Sequence, residues 1–175
     1  MLAALLGLAV GWVRGGRLGG LSRASLRWFP VLVLGVALLL AAQLSWLPAP
    51  AAPFLVGTGY LAAIVMLVTN RDQRWLLPVL AGAVLNAAVI VANGGRMPVS
   101  VRALETAGLP ALPALVGGTD PRHLLATSAS PLGLLDDRLA FHIGGLAGIA
   151  SPGDVLMAVG VAGFVQAAMV ERRHG

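Results

Sequence analysis

Leu76-Leu77-Pro78-Val79-Leu80-Ala81-Gly82-Ala83-Val84-Leu85-Asn86-Ala87-Ala88-Val89-Ile90-Val91-Ala92 runs straight into Asn93-Gly94-Gly95-Arg96-Met97-Pro98-Val99. The first part is close to pure hydrocarbon, broken only by Asn86, and is long enough for most of a bilayer crossing. The second part ends it. Asn93-Gly94-Gly95 supplies left-handed residues for a helix stop, and Pro98 disfavours helix at Met97. Asn86 and Asn93 are seven positions apart and share one helix face, which Gly82 extends. A polar face on a membrane helix points into the bundle or at water.

The same composition recurs along the chain. Of 175 residues, 58% are hydrophobic and 11% charged, with a mean hydropathy of +0.87, outside the range of a soluble domain of this size. Further apolar runs cover Met1 to Val13, Trp28 to Leu47, Ala52 to Thr69 and Asp154 to Val170. The expected fold is therefore all-α: a single polytopic domain of about five spans, with a partly helical outward-facing segment between Asn93 and Gly153. The first run is short, and is expected to tilt, to start in the interface or to cross only partly. Trp12, Trp28, Trp46 and Trp75 stand at or near span ends and read as interface depth markers. Gly57, Gly59, Gly82, Gly160 and Gly163 are candidates for close helix approach.

Arginine supplies every basic residue. Arg14, Arg17, Arg23 and Arg27 fill the first loop, Arg71 and Arg74 the third, and Arg172 and Arg173 the C-terminus, whereas the second loop, Pro48 to Ala51, has none. This alternation predicts a multi-pass protein with its N-terminus outside and its C-terminus in the cytoplasm. Such short clusters suit topology rather than nucleic-acid binding. The first run lacks a basic n-region, so a cleaved signal peptide is not expected. Cysteine is absent, which excludes disulfides, thiolate metal sites and a Cys nucleophile.

Polar residues in or beside the spans carry whatever chemistry exists. Asn86, Asn93, Arg96, His123, Asp136 and Asp154 are expected to form an outward-facing ligand pocket, with Arg96 paired to Asp136, Asp137 or Asp154 at its mouth. Asp136, Asp137, Asp154 and His123 are the candidate catalytic groups, because two nearby carboxylates can share a proton. Each also has a plain structural role. Ser151-Pro152-Gly153-Asp154 is a well-formed helix start, with Ser as N-cap, Pro at the first helical position and an acid at the third. Ser100 caps a short helix through Thr106 that Gly108 stops, and Asp120-Pro121 is expected to open another holding Arg122 and His123. Leu132 to Leu135 and Phe141 to Ile149 are expected to lie in the interface or cover the bundle like a lid. No second His stands at ligand spacing, so no metal is expected, and no cofactor motif is present.

The run from Leu85 to Val99 resembles the signature of a family of small bacterial integral membrane proteins, domain of unknown function 5317. Arg14-Gly15-Gly16-Arg17-Leu18, His123 with Leu135-Asp136, and Ser151-Pro152-Gly153-Asp154-Val155 resemble it too, and together they span nearly the whole chain. The resemblance implies a four-to-five-helix fold in a bacterial inner membrane and implies no activity. Three functions fit these residues. The first is a binding or transport-associated module for an amphipathic ligand such as a lipid headgroup or isoprenoid phosphate, to which Arg is suited. The second is an aspartyl-type membrane hydrolase. The third is a structural subunit whose glycine faces bind a membrane-protein partner or a second copy.

Overall fold

The computed structural model describes residues 2–170, apart from 43, 45–47, 49 and 111–112. Trp46 and the basic pair Arg172 and Arg173 therefore lie outside the described residues. Five helices form the bundle: α1 (Leu2–Val13), α2 (Phe29–Ala41), α3 (Ala51–Thr69), α4 (Leu76–Ala92) and α7 (Pro152–Val170). Among the described residues, only α3 and α7 are long and apolar enough to cross a membrane; the other three are shorter apolar helices. Just 28% of the apolar window of α3 and 33% of that of α7 is buried within the protein. Both helices thus leave most of their apolar surface uncovered within the protein. Trp12 is 78% exposed and Phe54 73%. Trp75, in contrast, is only half-exposed, with its ring against Gly163.

Side-chain pairing sets the direction of each helix. Gly82 meets Gly153 and Met157, while Trp75 meets Gly160 and Gly163, so α4 and α7 run antiparallel. Gly7 meets Ala162 and Val165, and Gly11 meets Gln166 and Met169, so α1 runs parallel to α7. Gly35 meets Gly59, and Ala42 shares a core cluster with Val56, so α2 and α3 are antiparallel. Val56 also packs with Val89 and Ile90, and Met66 with Leu76 and Ala83, which makes α3 and α4 antiparallel. Consecutive bundle helices thus alternate in direction. Small residues carry these contacts because the absence of a side chain lets two helix backbones come into van der Waals contact. Four of the five expected glycines occupy such contacts. Gly57 does not: it is exposed, with nothing within 4 Å of where a Cβ would stand.

The segment joining α4 to α7 holds strands as well as short helices. It folds into a mixed cap, which corrects the all-α expectation. β1 (Met97–Val99) pairs in parallel with β2 (His123–Leu125), and Asp137 bridges the other side of β1 at Val99. β3 (Leu139–Ile143) and β4 (Leu146–Ala150) form an antiparallel hairpin closed by Gly144-Gly145, both at positive φ. Two successive positive-φ residues are what a two-residue hairpin turn demands, so this stretch is a β-hairpin. Leu132 to Leu135 ends in a short 3-10 turn, Gly133–Leu135. As expected, Ser100 caps α5 (Val101–Thr106) by accepting the Ala103 N–H, and Gly108 ends it at φ +64°. The short α6 (Pro113–Val116) completes the cap. Val99, Leu104 and Leu115 are its buried centre, while Met97 plugs into the bundle beside Val89 and Ile90.

The backbone approach of α4 to α7 predicts an asymmetric glycine series. A Cβ on Gly153 would strike Asn86 Oδ1 and the Gly82 carbonyl, so Gly153→Ala should cost about 1–3 kcal/mol. Gly57→Ala meets nothing and should be neutral or stabilising by up to about 1 kcal/mol. Thermal melts in detergent test this, and equal melting of the two variants would contradict the described contact.

Candidate functional site: a polar clasp beneath an acidic cavity

Two linked clusters occupy the junction of bundle and cap. The lower one clasps α4 to α7. Asn86 is 2% exposed and Ser151 fully buried. Ser151 Oγ donates to Asn86 Oδ1 at 2.9 Å, and Asn86 Nδ2 donates to Asp154 Oδ1 at 2.8 Å and to Tyr60 Oη at 3.5 Å. With Oδ1 turned to the Ser151 hydroxyl and Nδ2 to the Asp154 carboxyl, each end of the amide has a partner. Ser151 and Asp154 also cap α7 reciprocally. Asp154 N donates to Ser151 Oγ at 2.9 Å, and Ser151 N donates to Asp154 Oδ2 at 3.0 Å. This is the capping-box arrangement, with Asp in the usual Glu position. Asn86 therefore faces α3 and α7 inside the bundle, where its amide is fully partnered.

The upper cluster lines a cavity of about 410 Å³ inside the cap. Leu104, Leu109, Leu115 and Ile149 contribute apolar wall; Asp120, His123 and Asp137 contribute the titratable groups. Asp120 does not start a helix. Its Oδ1 accepts from the backbone N–H of Arg122 at 2.9 Å and of His123 at 2.8 Å, an Asx-type turn that delivers His123 into β2. His123 Nδ1 lies 3.3 Å from the same oxygen, so Asp120 orients the imidazole and favours the Nδ1–H tautomer. Partial burial pushes Asp120 up, but the two backbone donors and the neighbouring His123 and Arg122 leave it below the usual carboxylate range. Burial pulls His123 below its ordinary value, with Asp120 offsetting part of that.

Asp137 links the clusters. Its backbone is locked to β1, with its N–H on the Pro98 carbonyl and its own carbonyl accepting from Ser100 N. Its side chain lines the cavity, and burial followed by the charges of Asp154 and Asp136 pushes its carboxyl up to about 7. The carboxylate partnership expected from the sequence thus centres on Asp137. Asp136 is buried on its own account, with burial raising it and Arg138 at 3.4 Å drawing it back.

Other expected members stand apart. Arg96 meets none of Asp136, Asp137 and Asp154. It donates from Nη1 to the Gly118 carbonyl at 3.2 Å and is half-exposed, so water and a carbonyl satisfy the charge that was expected to need an acid. Asn93 donates to Val89 O at 2.8 Å and Pro131 O at 3.0 Å, tying the end of α4 to the cap loop without lining the cavity. Tyr60 and Asp120 were overlooked as site residues. Tyr60 lies in an apolar run whose face is set only by packing. Asp120 did carry a signal, because Asp before Pro is a turn initiator.

Asp137 predicts a specific pH dependence. Its folded-state carboxyl lies above its unfolded value of about 3.9, so its contribution is fully present below about pH 3.9 and is lost as pH rises through about 7. His123 shifts in the opposite sense, so the difference between wild type and Asp137→Asn isolates the effect. The melting temperature of wild type relative to the variant should fall from pH 4 to pH 7 and then level off. A difference that does not change with pH would refute the assignment.

No curated protein and no solved structure matches the chain. A family described as a family of unknown function (DUF5317) matches residues 21–166. That match takes in α2 to α4, the cap and most of α7, and the chain belongs to this family.

Proposed function

We propose that this is a small multi-pass membrane protein whose cap binds an amphipathic ligand with an apolar body and a hydrogen-bond-donating or cationic head. The cap cavity carries the proposal. A largely apolar recess with a few polar groups in its lining is the form of a small-molecule site. Those groups are two carboxylates and an imidazole, so they suit a donor or a cation better than the phosphate that Arg96 had suggested. Outward-facing apolar residues and alternating helix directions support the membrane setting. Loop arginines Arg14, Arg17, Arg27, Arg71 and Arg74 gather at the bundle end opposite the cap, which supports a cytoplasmic assignment for that end and an external one for the cap.

Asp137 also keeps hydrolysis in view, because a carboxyl titrating near 7 beside two other acids can hold a proton at neutral pH. Asp154, however, already accepts on both oxygens, from Asn86 and from Ser151. That commits it to the clasp and favours binding over an aspartyl pair.

Two experiments test this function. Leu104→Trp should fill the cavity, and native mass spectrometry of protein extracted in mild detergent should show loss of a small molecule retained by wild type. An unchanged complement of bound species would refute the cavity as the site. For topology, a fluorescent reporter inactive outside the cytoplasm should be bright after Gly175, and a phosphatase inserted at Gly117 should be active. A dark C-terminal fusion or an inactive insertion would reverse or remove the proposed orientation.

A further inference from the structure

A second cavity, of about 570 Å³, opens at the end of the bundle opposite the cap. It lies where the first loop, the α3–α4 loop and the C-terminal turns of α7 come together, and Arg14, Asp72, Arg74, Trp75 and Gln166 supply its polar lining. We propose that this cavity is an oxyanion site for a phosphate group.

Three independent features support it. First, its charge is uncommitted. Asp72, the acid in the lining, is turned to Arg27 at 3.4 Å. Arg14 donates to Gln166 Oε1, a neutral acceptor. The Arg74 guanidinium lies 5.6 Å from the centre of the Trp75 ring, and neither arginine pairs with a carboxylate among the described residues. Second, the indole Nε1–H of Trp75 is buried and has no acceptor among the described residues. Indole nitrogen is donor-only, and a buried donor without an acceptor costs free energy that a bound oxygen would recover. Third, the frame is rigid. Trp75 stacks on Gly163 of α7, and Arg17 N donates to the Met169 carbonyl at 2.9 Å, so the first loop is fastened across the end of α7. Two arginines and a tryptophan in one lining bring together the donor types that suit a phosphate.

A phosphate at this end has two possible sources: an anionic lipid headgroup in the adjoining leaflet, or a free anion from solution. Only the lipid source depends on the membrane setting proposed above; the cap cavity plays no part in either.

The test uses the full chain purified in a neutral detergent. Melting is followed while inorganic phosphate is added against chloride at matched ionic strength, and separately while phosphatidylglycerol is added against phosphatidylcholine. At least one phosphate-bearing probe should raise the melting temperature of wild type by about 4 °C at saturation. Inorganic phosphate acting alone identifies a free-anion site, and phosphatidylglycerol acting where inorganic phosphate does not identifies a headgroup site. Arg74→Gln should weaken the response about tenfold, and Trp75→Phe should weaken it while keeping the ring stacked on Gly163. Arg102→Gln, on the cap, should leave it intact. Arg14→Gln also removes the Gln166 contact and can loosen α1 from α7, so Arg74→Gln decides the matter. No shift in wild type with either probe, or equal shifts in wild type and Arg74→Gln, would overturn the proposal. Because the cap is untouched, failure here leaves the cap cavity to stand or fall by its own test.

Discussion

The Asn86 amide joins α4 to α7, and much of the remaining architecture depends on that junction. It accepts from Ser151, donates to Asp154 and reaches Tyr60. Each bond is modest, since a typical intramolecular hydrogen bond contributes about 1 kcal/mol net. Their importance lies in the alternative: an amide, a hydroxyl and a carboxylate without partners in a low-dielectric interior. The clasp also sets the axial register of the two helices. With Asn86 against the first turn of α7, Gly82 falls opposite Gly153 and Trp75 falls opposite Gly163. A slip of one residue would misplace the glycines together with the polar groups, so packing and hydrogen bonding enforce the same alignment.

That alignment also builds the cap. The chain leaves the bundle at Asn93 and re-enters at Ser151, at the same end of two adjacent helices. Gly94 and Gly95, both at positive φ, turn it sharply, Met97 seats it among bundle residues, and β1 receives β2 on one side and Asp137 on the other. Asp137 thereby comes within electrostatic reach of Asp154, the acid that caps α7. Burial raises the proton affinity of this cavity residue, and a capping residue spent structurally on one helix adds to it. The two ends of the protein differ in chemistry as a result. The cap end gathers acids and an imidazole, and the opposite end gathers guanidiniums and an indole donor.

Legibility followed the range of the interaction. Helix starts and stops were readable because capping and glycine stops act within four residues: Ser151 with Asp154, Ser100 with Ala103, and Asn93-Gly94-Gly95 all take their expected places. Burial of Asn86 was readable because a lone amide in an apolar helix has no other way to find a partner. The β-structure was missed although Ile143-Gly144-Gly145-Leu146 carried a hairpin turn, because the apolar, glycine-rich run around it equally suited an interfacial segment. The Arg96 pairing was mistaken because it assumed a desolvated mouth, and the cap leaves that position half-open to water.

The sequence by itself determined the apolar helices, their capped ends, the arginine-bearing loops and the family. These depend on composition and on contacts among near neighbours, which any window of the chain contains. Only the tertiary structure decided that Asp137 rather than Asp154 lines the cavity, that Asp120 orients His123 within it, and that Arg14 and Arg74 converge with a buried indole N–H at the other end. The α4–α7 and α1–α7 contacts span some 70 to 155 positions of chain, as from Asn86 to Asp154 or from Gly7 to Ala162. Which groups meet over such separations is set by helix direction and register, and those follow from the close approach of glycines on different helices, a property no single segment possesses.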